Sequence, residues 1–146
     1  MAIEIEYKYL VKNDNYKCLA TSRTHILQGY LNREPERTVR VRVKGEKGFL
    51  TVKGKNSGAS RLEFEYEIPR ADAEQMLKLC LPPVLDKTRY IVPHDGHLWE
   101  VDEFHGAREG LVTAEIELHS ESERYSMPDF IGENVTGAPQ YYNSNL

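Results

Sequence analysis

The chain has 146 residues, of which 29% are charged and 40% hydrophobic, and its formal net charge is −4 at pH 7. This composition is typical of a folded globular protein rather than a disordered one, and the length favours a single domain over residues 1–146. The acidic balance argues against a nucleic-acid partner. No apolar run reaches the roughly 20 residues of a membrane helix, so we expect no membrane partner.

Residues 2–11 alternate between apolar and polar side chains, which predicts a strand that starts almost at Met1. Such an early strand leaves no room for a signal or transit segment. The two cysteines, Cys18 and Cys80, have no CxxC spacing and are predicted to be reduced thiols. We therefore expect a cytoplasmic protein.

The same period-two alternation recurs after a polar segment at residues 13–24, which we interpret as a loop or short helix. It predicts strands at residues 25–31, 38–44, 49–55, 61–68, 84–92, 98–104 and 111–119. Residues 71–81 have helical spacing, with Asp72 as the expected N-cap and Pro82 as the stop, and a short helix is expected within 120–125. Seven or eight strands joined by tight turns indicate an α+β protein with an antiparallel, closed or nearly closed barrel.

One face of these strands is charged and the other is apolar. The charged face comprises Glu4, Glu6, Lys8, Arg40, Arg42, Lys44, Lys53, Lys55, Glu63, Glu65, Glu67, Lys87, Arg89, Glu100, Asp102, Glu115 and Glu117. If it faces solvent, the chain is an ordinary half-buried sheet with surface ion pairs. If it faces inward, the barrel has a charged interior, and helices or a second subunit must cover the outside.

Burying so many ionisable groups is costly unless they bind ions and one another, so the inward arrangement requires a highly charged ligand. The signs are segregated: cations dominate three strands and carboxylates dominate four. Arginine forks suit the oxygens of a polyphosphate, and carboxylates suit Mg²⁺ or Mn²⁺. The residues thus allow a metal–triphosphate site, although the pattern alone leaves both orientations open.

Glu4-x-Glu6-x-Lys8 resembles the ExExK signature of the CYTH, or triphosphate tunnel metalloenzyme, superfamily. The resemblance continues in order along nearly the whole chain, through Gln28-Gly29-Tyr30-Leu31, Arg40-x-Arg42, Thr51-Val52-Lys53, Arg61 with Glu63 and Glu65, Lys87-Thr88-Arg89-Tyr90, Glu100-x-Asp102 and Glu115-x-Glu117. It implies an eight-stranded antiparallel barrel with a charged interior and a few flanking helices. The charged rows would then point inward.

The resemblance also implies roles for these residues. The triphosphate would be held by Lys8, Arg40, Arg42, Lys53, Lys87 and Arg89. Mg²⁺ or Mn²⁺ would be bound by Glu4, Glu6, Glu115 and Glu117, with Glu63, Glu65, Glu100 and Asp102 completing metal binding or orienting water and cations. Glu4, Glu6, Lys8 and the tunnel cations together form the expected catalytic set.

The expected activity is hydrolysis of a triphosphate, most simply inorganic tripolyphosphate, as in the small bacterial members that this chain resembles. An adenylyl cyclase of class IV type, a thiamine triphosphatase and a non-catalytic polyphosphate or nucleotide binder remain open. The tail beyond Arg124 lacks Lys and Arg, which leaves tunnel closure and substrate choice undecided. An apolar outer face with few helices to cover it predicts a homodimer.

Overall fold

The computed structural model describes residues 2–146, which form nine strands and two short α-helices. The strands are β1 (Ile3–Val11), β2 (Ser22–Tyr30), β3 (Arg37–Lys44), β4 (Lys47–Gly54), β5 (Ser60–Ile68), β6 (Leu81–His94), β7 (His97–His105), β8 (Val112–Glu117) and β9 (Ile131–Asn134). The helices are α1 (Tyr16–Leu19) and α2 (Arg70–Leu77). Short 3-10 turns at Pro139–Tyr141 and Asn143–Asn145 follow β9.

Eight strands form a closed antiparallel barrel in the order β5-β4-β3-β2-β6-β7-β8-β1, and β1 closes the ring by pairing with β5. The closing contact is short, from Ile3 opposite Leu62 to Ile5 opposite Ser60. Further along β1, β9 replaces β5 as the paired neighbour of β1, with Tyr9 opposite Asn134. The predicted eight-stranded antiparallel barrel is confirmed.

The charged rows point into this barrel. On β3, Arg40 and Arg42 are only 6% and 7% exposed, whereas Leu62 and Phe64 on β5 are 52% and 42% exposed. Because successive side chains of a strand point to opposite faces, burying one row places the other row outside. The charged interior expected from the family resemblance is confirmed.

Most of the apolar outer face is covered by the chain itself. Tyr16 of α1 and Phe130 before β9 pack with Trp99 and Ile116 in one core cluster outside the barrel. On the opposite side, α2 packs on β3 and β4. It approaches so closely that a Cβ at Gly48 would lie 2.7 Å from the Cβ of Ala73, so only glycine fits there.

Several local predictions were wrong. Pro69, not Asp72, is the N-cap of α2, and Asp72 instead lies in the first turn, where its charge suits the helix N-terminus. Residues 120–125 form turns and coil rather than a short helix. β6 begins at Leu81, before two prolines, which fall where the β2–β6 register is interrupted and no regular ladder bond is lost.

Cys18 and Cys80 are free thiols, as predicted. None of the helices between residues 2 and 146 combines the length and the apolarity that crossing a membrane requires.

Candidate active site

A cavity of about 170 Å³ lies inside the barrel and is lined mainly by charged side chains. Its lining includes all but two of the predicted site residues, namely Glu4, Glu6, Lys8, Arg40, Arg42, Lys53, Glu63, Glu65, Arg89, Glu100, Glu115 and Glu117. The other two, Lys87 and Asp102, are 0% and 1% exposed and lie in contact with each other and behind Arg89. The predicted residues are thus brought to one place.

Six of the carboxylates form two clusters. One contains Glu4, Glu63 and Glu117, the other Glu6, Glu100 and Glu115, and within each cluster the nearest carboxylate oxygens all lie within 4.8 Å of one another. Each cluster draws on three different strands, and the first also spans the β1–β5 contact that closes the barrel. All-oxygen donor sets of this kind are what Mg²⁺ and Mn²⁺ prefer.

Two of these carboxylates, Glu6 and Glu117, lack enough positive charge nearby to offset their burial and the adjacent carboxylates. Burial, followed by the nearby Glu115 and Glu4, raises the pKa of Glu6 well above its usual range. Burial, followed by Glu4 and Glu100, raises the pKa of Glu117 to about 7. In contrast, Lys8, followed by hydrogen bonding with Glu6 and by Arg89, holds the pKa of Glu115 well below its usual range despite its burial. A divalent cation would relieve this repulsion, so the donor set fits such an ion.

The raised pKa of Glu117 predicts a pH-dependent stability of the metal-free protein. Between the ordinary value of 4.5 and about 7, the folded chain keeps a proton that the unfolded chain releases, so stability falls as pH rises through this window. We expect Glu117→Gln, melted in a chelator from pH 5 to pH 7.5, to lose less stability than the wild type does. Glu67→Gln, at an exposed carboxylate of β5, should keep the wild-type slope, and equal slopes for all three proteins would contradict the prediction.

Most tunnel cations are already paired with carboxylates. Lys53 Nζ lies 3.2 Å from both Glu4 and Glu63, and Lys8 Nζ lies 4.0 Å from Glu115. Pairs that are buried to this degree hold each side chain in position, because leaving either charge alone would be costly.

Two predicted metal ligands lie with arginines instead of in the carboxylate clusters. Arg89 donates to both oxygens of Asp102, at 2.8 and 2.9 Å, and Lys87 Nζ lies 2.7 Å from the same carboxylate. Glu65 accepts hydrogen bonds from Arg40 at 3.0 Å and from Thr51 at 2.9 Å. Asp102 and Glu65 are therefore placed to orient cations.

Arg42 has a different environment from its neighbours. Its Nε and Nη2 donate to the amide oxygen of Gln28 at 3.0 and 2.7 Å, and it forms no ion pair with any described residue. Burial, followed by Arg40 and Arg89, lowers its pKa to about 9. Lys44, two residues further along β3, also lines the cavity without an ion pair in the described chain.

The C-terminal tail closes part of the tunnel without using a basic residue. Val135, Thr136, Gly137, Tyr142, Asn143 and Ser144 line the cavity. The Nζ of Lys8 donates to the backbone carbonyl of Tyr141 at 2.7 Å. The tail thus binds a tunnel lysine through a backbone carbonyl, so it can cover this part of the tunnel without a Lys or Arg of its own.

Sequence reasoning left several lining residues without a role. Arg61, whose Nε lies 3.4 Å from Glu4, and Lys44 carried the same period-two signal as the residues that were assigned. Gln28 and Thr51 were quoted only as parts of matching segments. No pattern distinguished a polar residue that holds an arginine from one that merely lies beside it.

The CYTH domain family matches residues 2–142. The chain belongs to the CYTH family. It is 52% identical over 147 residues to an inorganic triphosphatase of Acetivibrio thermocellus, an alignment that covers 100% of this chain and 94% of that protein. It is 32% identical to an inorganic triphosphatase of Nitrosomonas europaea, over 98% and 95% of the two chains.

The CYTH assignment extends to solved structures. The crystal structure of the inorganic triphosphatase NE1496 matches with a TM-score of 0.69 at 30% identity, over 99% of this chain and 94% of that one. The family resemblance inferred from the ordered motifs is therefore confirmed.

Proposed function

We propose that this CYTH protein hydrolyses inorganic tripolyphosphate to diphosphate and orthophosphate with the help of Mg²⁺ or Mn²⁺. The observation that carries the proposal is the closed tunnel in which two carboxylate clusters share one cavity with arginines and lysines. Relatives of similar length are inorganic triphosphatases, which supports the same activity here.

The cations would hold the phosphates and the clusters would hold the metal. Phosphoryl oxygens would be bound by Lys8, Arg40, Arg42, Lys53 and Arg89, with Lys87 acting from behind Arg89. The divalent ions would be bound by Glu4, Glu6, Glu63, Glu100, Glu115 and Glu117. When bound, such an ion neutralises phosphoryl charge and makes a coordinated water more acidic.

Hydrolysis then needs positioning more than covalent chemistry. A water oxygen attacks the terminal phosphorus in line, the bridging P–O bond breaks, and diphosphate leaves as orthophosphate forms. The arginines stabilise charge that spreads over the phosphoryl oxygens in the transition state. No covalent nucleophile is required.

The lining favours inorganic triphosphate over a nucleotide. A base pocket is usually lined mostly by apolar and aromatic groups, whereas this cavity is lined mainly by ionisable side chains, with Tyr30 and Tyr142 as its aromatic residues among those described. A class IV-type adenylyl cyclase, a thiamine triphosphatase and a non-catalytic binder are the alternatives that an experiment must separate.

That experiment compares phosphate release from tripolyphosphate, ATP and thiamine triphosphate, with Mg²⁺, Mn²⁺ or a chelator, and measures cyclic AMP in parallel. We expect release from tripolyphosphate to be fastest and to stop in the chelator. Cyclic AMP from ATP would establish the cyclase instead. Tight binding without phosphate release under either metal would establish the non-catalytic binder.

We also propose a homodimer through the part of the outer face of β4 and β5 that α2 leaves uncovered. This face carries Val52, Leu62, Phe64 and Tyr66, which are 38%, 52%, 42% and 63% exposed, and no helix among the described residues covers it. Four adjacent, exposed apolar side chains are typical of a protein–protein interface.

Light scattering should give a dimer for the wild type and a monomer for Phe64→Ser, while Leu79→Ser, at an exposed leucine outside the face, should stay dimeric. A monomeric wild type would refute the proposal.

A cytoplasmic location is supported by the two free thiols and remains a prediction. The concentration of cations inside the tunnel, rather than on an outer face, supports the absence of a nucleic-acid partner.

A further inference from the structure

Gln28 is buried inside the barrel, beside the tunnel cations. It lies on β2 directly opposite Arg42 of β3 and is 0% exposed. Its amide oxygen accepts two hydrogen bonds from the Arg42 guanidinium, and its amide nitrogen donates to the hydroxyl of Tyr30 at 3.2 Å. Because a guanidinium can only donate, these contacts determine which end of the amide faces Arg42.

The partner of Arg42 is neutral, unlike those of the neighbouring arginines. Arg40 pairs with Glu65, and Arg89 pairs with Asp102. The amide holds the Arg42 guanidinium in place by two bonds, yet it leaves the positive charge uncompensated. The Nη1 nitrogen of Arg42 forms no hydrogen bond with a described residue, and Arg42 lines the cavity.

A purely structural role would be served at least as well by a carboxylate. Glutamate has nearly the shape of glutamine, and its carboxylate would add an ion pair to the two hydrogen bonds that the guanidinium already makes. A carboxylate there would, however, cancel the charge that an incoming phosphate needs. The amide therefore combines fixed geometry with retained charge, which is the combination that an anion-binding arginine requires.

We propose that Gln28 is a positioning residue for the polyphosphate substrate: it aligns the guanidinium of Arg42 and, by being neutral, leaves that charge for a phosphoryl group. The inference rests on the proposed substrate class. It does not depend on turnover, because it concerns how a polyphosphate is held.

The test is Gln28→Glu, which changes the charge and little of the shape. We expect a melting temperature equal to or above that of the wild type. We also expect at least about a tenfold loss of affinity, which corresponds to about 1.4 kcal/mol. Affinity is measured by calorimetry in Mg²⁺ with the imido analogue of tripolyphosphate, whose P–N–P bridges resist hydrolysis. KM for tripolyphosphate should rise more than kcat falls.

Two further variants complete the test. Gln28→Met keeps the size of the side chain but removes the hydrogen-bond acceptor, so the affinity for the imido analogue should fall together with a modest loss of stability. This variant replaces Gln28→Glu in the test if Gln28→Glu does not fold. Gln75→Glu makes the same chemical change on the exposed side of α2 and should bind normally. Wild-type affinity in both Gln28→Glu and Gln28→Met would overturn the proposal and leave Gln28 as a core residue.

The outcomes separate this inference from the proposed function. A wild type that binds the analogue but releases no phosphate would refute the hydrolase and leave the role of Gln28 to be judged by the variants. A wild type that hydrolyses tripolyphosphate, with unchanged affinity in both Gln28 variants, would refute the positioning role alone. A wild type that neither binds nor hydrolyses would refute both.

Discussion

Replacing Glu4 and Glu6 together by glutamine is expected to reduce phosphate release from tripolyphosphate by more than about 100-fold. Mutating residues that only support metal ligands already lowers metal affinity or activity by about 10–100-fold, and these two residues are expected to bind the metal directly. The double change takes one carboxylate from each cluster, since Glu4 lies with Glu63 and Glu117, and Glu6 with Glu100 and Glu115. Each cluster would keep two carboxylates and lose charge as well as a ligand.

The loss should originate in metal binding. Calorimetric titration with Mn²⁺ should show weaker binding in the double variant, and excess metal should restore part of the activity. Glu67→Gln, at an exposed carboxylate of β5 that pairs with Lys47 and does not line the cavity, is the matched control and should bind Mn²⁺ as the wild type does. Undiminished turnover in the Glu4→Gln/Glu6→Gln protein would defeat the metal assignment.

Arg89→Met is expected to destabilise the fold by about 3–5 kcal/mol, the usual cost of leaving a buried charge without its partner. Arg89 donates to both oxygens of Asp102 and also to Glu100 at 3.1 Å. For a chain of this length, such a loss corresponds to a fall in melting temperature of roughly 10 °C.

The pH dependence identifies the cause of this loss. Arg89 and Lys87 hold the pKa of Asp102 well below its ordinary 3.8 despite burial, so the stability from this contact is present above pH 3.8 and is lost as pH falls further. The difference between Arg89→Met and the wild type should therefore be largest near neutral pH and shrink in acid. Asp102→Asn should cost less stability in Arg89→Met than in the wild type, because Asp102 then keeps only Lys87 as a charged partner at 2.7 Å.

Arg70→Met is the control for removing an arginine. Arg70 pairs with Glu46 on the exposed surface, where an ion pair contributes about 0–1 kcal/mol, so the melting temperature should barely change. Equal melting temperatures for Arg89→Met and Arg70→Met would show that the buried network does not stabilise the barrel.

The local sequence pattern predicted most of the secondary structure, because the two faces of a strand appear as an alternation of polar and apolar residues within the strand itself. Alternation in segments such as β3 and β5 located them to within one residue. The pattern failed where no alternation exists: β9 has only four residues, and the tail from Pro139 folds as 3-10 turns against the tunnel. The helix predicted over 71–81 began within one residue of α2, but α2 already ends at Leu77, and its N-cap was misplaced because both Pro69 and Asp72 are acceptable near a helix N-terminus.

The sequence by itself determined which residues share a face, the segregation of charge by sign and, through the order of its motifs, the family. It could not determine by periodicity which face is inside, since the same alternation serves either orientation until something covers the apolar side. Nor could it show that Glu65 and Asp102 pair with arginines while six other carboxylates cluster. Those groupings depend on the register and closure of strands far apart in the chain, and only the closed barrel brings Glu4, Glu63 and Glu117 together.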